Sequence, residues 1–319
     1  MKKKSKEKLL KIIFFLVVVV AGVLTSYFTE FANKEENNEN VQESILNESE
    51  NEKSIVSSTV EPALVIRYID VGQADAILIT TGEHAMLIDA GKNDTEDMLV
   101  NYIKEQGVKK FDYVIGTHAH EDHIGGMDKV ISTFQIDKIL FPKQKSSTKT
   151  FENFAKAVKS KNKKLYAPNS GEEFEFGDAT FKVLAPNSSE YKEANDYSIV
   201  IKLTYKNRSF LFMGDAEELS ENQILAKGYD VKADVLKLGH HGSKTSTSDT
   251  FLNRVSPEAV VISCGKNNDY SHPSKQTMKK LKENNIPVYR TDESGTVVIN
   301  TDGENISFNV KEGSYNYGK

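Results

Sequence analysis

Four strong metal ligands, His118, His120, Asp122 and His123, stand within six consecutive positions, directly behind the apolar run Phe111 to Gly116. A strand must therefore end at this motif. Side chains at i and i+2 of an extended chain share a face, so His118 and His120 can grip one cation together. Past the bend, Asp122 and His123 reach a second. Imidazole plus carboxylate suits Zn first, with Mn or Fe also accommodated. Gly125 and Gly126 allow close backbone passage near the metals before a helix over Met127 to Phe134. The alternative is a His-rich surface turn that binds metal by accident. Against it, the chain has only seven His, and three of them fall here.

The 319 residues suffice for one large domain or two modest ones, but the first sixty do not read as globular. Met1 to Lys8 carries five Lys against one Glu, and Leu9 to Leu24 is apolar except for Lys11. That is a positive stretch followed by a hydrophobic one, and with Thr25 to Phe28 it approaches bilayer-spanning length. Residues 1–28 are expected to be a membrane anchor, or a signal segment if cleaved. The Lys excess keeps the N-terminus inside and sends the remainder to the extracellular face of the membrane, or into the medium after cleavage. Residues 29–60, rich in Asn, Glu and Ser, form a polar linker unable to bury enough surface to order itself. The folded domain is expected over 61–319.

The single Cys264 excludes an internal disulfide, and its apolar setting after Val260, Val261 and Ile262 reads as buried. A net charge of −5 argues against a globally basic nucleic-acid binder. Locally, Lys138 to Lys164 holds nine Lys against Glu152 and the adjoining Asp137. Beside the metal motif such a segment would attract a polyanion; elsewhere it is a solvated helix face.

From Glu61 onward strand and helix signals alternate without internal repeats. Strands are expected over Leu64 to Val71, Asp75 to Thr80, His84 to Asp89, Phe111 to Gly116, Asp137 to Phe141, Lys164 to Ala167 and Thr180 to Ala185. A hairpin, Tyr197 to Tyr205 and Arg208 to Met213, turns at Lys206-Asn207. Strands Val235 to Leu238, Ala259 to Ser263 and Val288 to Thr291 follow, then a closing hairpin, Gly295 to Ile299 and Asn305 to Val310. Helices are expected over Asp94 to Gln106, Phe151 to Lys161, Ala216 to Lys227, Thr250 to Val255 and Ser274 to Glu283. Strand-rich halves separated by helices imply two mixed sheets face to face with helices outside.

A two-cation site needs a bridging ligand, and a carboxylate bridges with its two oxygens. Asp215 ends the apolar strand Phe210 to Met213 after Gly214, where it either bridges or caps the next helix. His240 and His241 follow strand Val235 to Leu238 through Gly239, and at least one should serve as ligand or substrate contact. His272 precedes a helix, so capping and catalysis both fit it. His84 lacks such company and reads as a surface residue.

Thr117 to Gly126, Gly214-Asp215 and Gly239-His240 together resemble the metallo-β-lactamase superfamily, whose His-x-His-x-Asp-His signature is highly specific. The segments Tyr68 to Ala76, Asn195 to Val200, His240 to Ser243 and Tyr270 to Ser274 are similar to the extracellular domain of ComEC-type DNA-uptake proteins. The resemblance implies an α/β fold, a four-layer αββα sandwich. It implies two divalent cations, Zn foremost with Mn open, one held by His118, His120 and Asp196, the other by Asp122, His123 and His240. Asp215 would bridge, and Asn195 competes with its neighbour Asp196. Asp89 would orient a ligating His.

The implied activity is an exported dinuclear hydrolase of phosphodiester bonds, with DNA or another nucleic acid as substrate and no obligate protein partner. Asp122, His241 and His272 would act in catalysis, with His241, His272 and Ser243 contacting the phosphate. Ala74 departs from the subgroup's usual Gly. The multi-helix membrane channel of the competence proteins is not in this sequence, so DNA transport is not expected of it. Three other readings stay open: a cell-envelope phosphoesterase like the phosphorylcholine esterases of teichoic acid, a lactam or lactone hydrolase, and a non-enzymatic surface module that binds DNA.

Overall fold

Alternating burial along β1 (Leu64–Tyr68) turns Leu64, Ile66 and Tyr68 inward and leaves Val65 and Arg67 half-exposed. This strand opens the part of the chain that the computed structural model describes, residues 64–318. The expected membrane or signal segment 1–28 and linker 29–60 lie outside the described residues. Next come β2 (Ile77–Thr81), β3 (His84–Ile88), β4 (Lys110–Ile115), β5 (Gln135–Leu140) and β6 (Leu165–Tyr166). A second sheet is built from β7 (Glu173–Phe176), β8 (Ala179–Ala185), β9 (Val200–Tyr205), β10 (Arg208–Phe212), β11 (Val235–Lys237), β12 (Ala259–Ile262) and β13 (Val288–Arg290). The closing hairpin, β14 (Val297–Thr301) and β15 (Ile306–Phe308), returns to the first sheet, where β14 pairs antiparallel with β1.

Both sheets are mixed, with parallel pairing from β3 to β6 in one and from β10 to β13 in the other. Their inner faces share one apolar layer in which Leu64, Ile66 and Tyr68 meet Phe181, Ile201 and Phe212. The outer face of the first sheet is covered by α1 (Glu96–Glu105), α2 (Glu121–Ile124), α3 (Met127–Thr133) and α4 (Lys149–Ser160). That of the second is covered by α5 (Glu218–Ala226), α6 (Asp249–Val255) and α7 (Lys275–Glu283), with a single turn, α8 (Thr291–Ser294), after β13. The result is the expected four-layer αββα sandwich.

Most expected elements form within a few residues of their expected ends. β7 is an addition. Its Glu173-Phe174-Glu175-Phe176 alternation is too short and too acidic to stand out, and pairing with β8 sustains it. Conversely, Tyr197, the expected start of the hairpin arm, closes a 3-10 turn over Ala194–Tyr197, and strand begins only at Val200. Cys264 is wholly buried, and burial pushes its thiol well up. His84 is half-exposed on β3, with Nδ1 2.9 Å from Asp112.

Candidate metal centre

Loops leaving the C-terminal ends of β4, β10 and β11 meet at one rim of the sandwich, where parallel strands open a crevice. The β4 loop is fixed by backbone bonds to its neighbours. Asp75 N donates to Asp122 O at 3.0 Å, Ala90 N to His123 O at 2.7 Å and Gly125 N to Gly91 O at 2.8 Å. Gly125 and Gly126 serve this packing and not an approach to metal. A Cβ on Gly125 would lie 2.3 Å from Asn93 N, and one on Gly126 2.5 Å from Ala90 O.

His118 and His123 are fully buried, and His120 is exposed at the mouth. Asp89 holds this turn together. Its Oδ1 accepts from Thr117 N at 2.8 Å, while Oδ2 takes Thr117 Oγ1 and His123 Nδ1, each at 2.8 Å. The expected orienting role fits this geometry, because a proton on Nδ1 leaves the Nε2 lone pair of His123 facing the cluster.

Asp215 reaches the same point from the second sheet. Its Oδ1 lies 3.2 Å from His123 Nε2 and 3.7 Å from His241 Nε2. Its Oδ2 lies 3.9 Å from both His118 Nε2 and His240 Nε2. Each oxygen thus faces a different set of imidazoles, the disposition a bridging carboxylate requires. Donor atoms of Asp122, His123, Asp215 and His241 converge within 4.8 Å of one another, as do those of His118, His120 and Asp215.

Two expected ligands lie outside these two groups. The second group is completed by His241, not His240. Both residues take left-handed backbone, φ 48° and 54°, and this double reversal swings the second ring inward. His241 Nδ1 lies 2.9 Å from Ser263 O, which directs Nε2 toward Asp122 Oδ2 at 3.3 Å. His240 sits nearer the mouth with Nδ1 held by Glu217 Oε1 at 2.9 Å. Asp196 is the other; it is buried with its Oδ1 lacking a hydrogen-bond partner, and burial raises its pKa. Asn195 beside it has Nδ2 3.1 Å from Glu217 Oε1 and 3.3 Å from His240 Nδ1. Its Oδ1 is buried without a partner.

Ser243 is likewise not a cleft residue. Its hydroxyl is 3.0 Å from Thr245 Oγ1, which donates to Glu217 Oε1 at 2.9 Å, so it steadies the carboxylate behind His240. His272 does line the cleft, with Gln73, Lys92, His120, Asp122 and Tyr270 among its neighbours around about 360 Å³ of open space. Gly265 N fixes the Gln73 amide by donating to Oε1 at 2.9 Å, leaving Nε2 to face His272 Nδ1 at 3.4 Å. That orientation assigns the ring proton to Nε2. Burial, then His240 and His241, lower His272 to about 4, so the ring is neutral at pH 7.

Asp75 and Lys237 are functional candidates that sequence reasoning missed. They form a fully buried ion pair beneath His241, whose Nδ1 is 3.4 Å from Asp75 Oδ1. Burial works against the Asp75 carboxylate, but Lys237 and His241 hold it at about 2. A Lys in the middle of Val235-Leu236-Lys237-Leu238 was the available signal, since an unpaired charge on a buried strand is prohibitively costly.

The donor set can be tested for a cation on the protein alone. His123 Nε2, Asp215 Oδ1 and Asp75 Oδ1 are buried without hydrogen-bond partners, each a loss of about 1–3 kcal/mol if left so. Burial would raise the Asp215 carboxyl, yet His123 and His241 hold it well below the ordinary range. Clustered carboxylates and lone-pair nitrogens converging on one point fit divalent cations.

The Lys-rich segment adjoins the site at one end. Gln144 accepts from Ala119 N at 2.7 Å, which places the loop bearing exposed Lys143 and Lys145 against the β4 loop. Farther along, Lys149 and Lys156 pair with Glu152, and Lys138 lies over the rings of Tyr113, Tyr166 and Phe174.

Residues 69–266 match the family model described as Metallo-beta-lactamase superfamily. The chain is 30% identical over 247 residues to "ComE operon protein 3" of Bacillus subtilis (strain 168), covering 72% of this chain and 32% of that protein. It is 30% identical over 230 residues to "Competence protein ComA" of Neisseria gonorrhoeae, covering 72% and 31%. It thus spans about a third of the length of these curated relatives. Among solved structures, the metallo-beta-lactamase fold protein YhfI from Bacillus subtilis superposes with a TM-score of 0.50 at 14% identity, covering 72% of this chain and 96% of that one. The last likeness is one of fold.

Proposed function

Because the chain belongs to the metallo-beta-lactamase superfamily, we propose that it is an exported, dinuclear metal-dependent hydrolase of phosphodiester bonds, with nucleic acid as substrate. One observation carries the reading: Asp215 presents its two oxygens to two separate sets of imidazoles at the floor of an open cleft. His118, His120 and Asp215 would hold one cation, and Asp122, His123, His241 and Asp215 the other. Zn is the first choice and Mn the second. When bound, such ions activate water and neutralise phosphate charge.

The chain's own residues supply position and hydrogen bonds. Asp89, Ser263 and Glu217 hold the Nδ1 protons of His123, His241 and His240, so each ring turns its Nε2 lone pair to the cluster. His272 offers an Nε2 proton from a neutral ring, suited to holding a phosphoryl or leaving oxygen by hydrogen bond. Its lowered pKa disfavours outright proton delivery. Lys92 on the cleft wall, and Lys143 and Lys145 beside it, would attract a polyanion.

Resemblance to competence proteins, one of them so named, supports nucleic acid as the substrate class. The Lys-rich start and the apolar run to Leu24 support export, with the catalytic unit at the outer face of the membrane. No helix among the described residues is long and apolar enough to cross a membrane.

The test is a substrate panel on purified protein supplied with Zn or Mn: single- and double-stranded DNA, bis(p-nitrophenyl) phosphate, a phosphomonoester, phosphorylcholine esters and a β-lactam. Cleavage of DNA and of the diester is expected. Hydrolysis of another ester with DNA left intact would overturn the substrate assignment.

A further inference from the structure

We propose that Tyr270 is a stacking platform for a nucleobase, a subsite beside the metal centre that selects strands carrying bases over bare sugar-phosphate. The inference rests on the phosphodiesterase reading. Among the described residues Tyr270 is the most exposed large hydrophobic side chain, at 67%, and it lines the cleft. Leaving a ring so open forgoes the stabilisation that burial would bring.

The loop nonetheless holds it there firmly. Asn268 Nδ2 donates to Gly265 O at 2.8 Å and to His272 O at 2.6 Å, while its Oδ1 accepts from Tyr270 N at 3.2 Å and His272 N at 3.0 Å. One face of Tyr270 stacks on His272, with centroids 5.8 Å apart and planes 25° from parallel. His272 in turn lies 5.2 Å from the His240 ring and 6.2 Å from the His241 ring. An aromatic ladder therefore runs from the metal ligands to the surface, and its outermost rung has an open face.

The chemistry of that rung selects the ligand. Other exposed tyrosines are engaged: Lys275 lies over Tyr317, and Lys138 lies over Tyr166. No cation lies over Tyr270 among the described residues. A quaternary ammonium group is recognised by a cage of several aromatic faces, whereas among the described residues Tyr270 is the sole tyrosine, phenylalanine or tryptophan lining the cleft. A planar base needs one face, and every base has one. Lys92 on the cleft wall and the exposed Lys266 in the same loop make no ion pair among the described residues, leaving positive charge for the adjoining phosphates. A phosphate at the cluster would put the base of its own or the neighbouring nucleotide over this ring.

The chain contains no Trp, so Tyr270→Trp creates a single indole emitter at the site. The probes are a five-nucleotide thymidine strand with phosphorothioate linkages, to resist cleavage, and a strand of equal length built from abasic sugars. Full-length protein with its metals should bind the base-bearing strand about tenfold more tightly than the abasic one, a preference of the size that one base–aromatic stack supplies. Tyr270→Ala should bring that ratio to within twofold of unity, and Tyr270→Phe should keep it. In the Tyr270→Trp variant, indole emission should be quenched by the base-bearing strand alone. A ratio unchanged in Tyr270→Ala, unresponsive emission with strand bound, or no binding at all would each overturn the proposal. Hydrolysis of bis(p-nitrophenyl) phosphate by the unaltered protein then shows separately whether the phosphodiesterase reading survives.

Discussion

Two loops supply most of the site in contrasting ways: Thr117 to Gly126 after β4, and Gly239 to Ser243 after β11. Each follows a strand whose last residues are buried, and each delivers histidines to the same rim. The first does so with ordinary backbone, a strand end running into a short helix, and its spacing alone indicates which side chains can meet. The second places two successive histidines in the left-handed region, where sequence spacing no longer tells which ring faces inward. A motif can be read for orientation only where its φ and ψ are ordinary.

The broadest way to break this comparison is to remove what both loops share. Asp215→Asn should lower hydrolysis of a phosphodiester by more than the ten- to hundredfold typical of residues that merely orient ligands. It should also reduce bound metal, measured by elemental analysis of purified protein. Full activity in this variant would mean that the loops work independently.

Next in size is the contrast within the second loop. His241→Ala should cost about one equivalent of metal, whereas His240→Ala should keep its metal and lose activity more modestly, within about a hundredfold. The reverse order of metal loss would show that the resemblance-based choice of His240 was right and that the left-handed pair rearranges when cations bind.

Stability gives a smaller effect. Gly125→Ala puts a methyl group 2.3 Å from Asn93 N, so the first loop should lose about 1–3 kcal/mol or more in chemical denaturation. His240→Gly relieves a left-handed residue, worth about 1–2 kcal/mol, while giving up the bond to Glu217. Its net change should stay within about 1 kcal/mol.

The smallest effect concerns pH. The bond from His240, with those from Asn195 and Thr245, lowers the Glu217 pKa below its ordinary 4.5. A depressed carboxylate contributes stability above its unfolded pKa and loses it as pH falls through the folded value. Glu217→Gln should therefore flatten the decline of the melting temperature below about pH 4.5, and only slightly, because the group is partly solvated.

Much of this was legible in the residues. Strand periodicity located β1 to β6 and the two hairpins closely, because apolar alternation survives averaging over a few positions. The cluster at His118 to His123 was legible because its ligands are neighbours in sequence, and Asp89 because its environment resembled a known pattern. What escaped depends on contacts across more than a hundred residues. Asp75 meets Lys237 from the opposite sheet. His241 meets Asp122 from the opposite sheet. Neither partner could be identified before the chain was folded.

The site straddles the seam between the sheets: Asp89 and His118 to His123 come from one side, Asp215, His240 and His241 from the other. Cations seated there would act as rivets between the two halves. Chelation should then do more than silence chemistry. It should let the rim gape first, so that amides of Thr117 to Ile124 and Gly239 to Gly242 exchange with solvent well before the shared apolar layer yields.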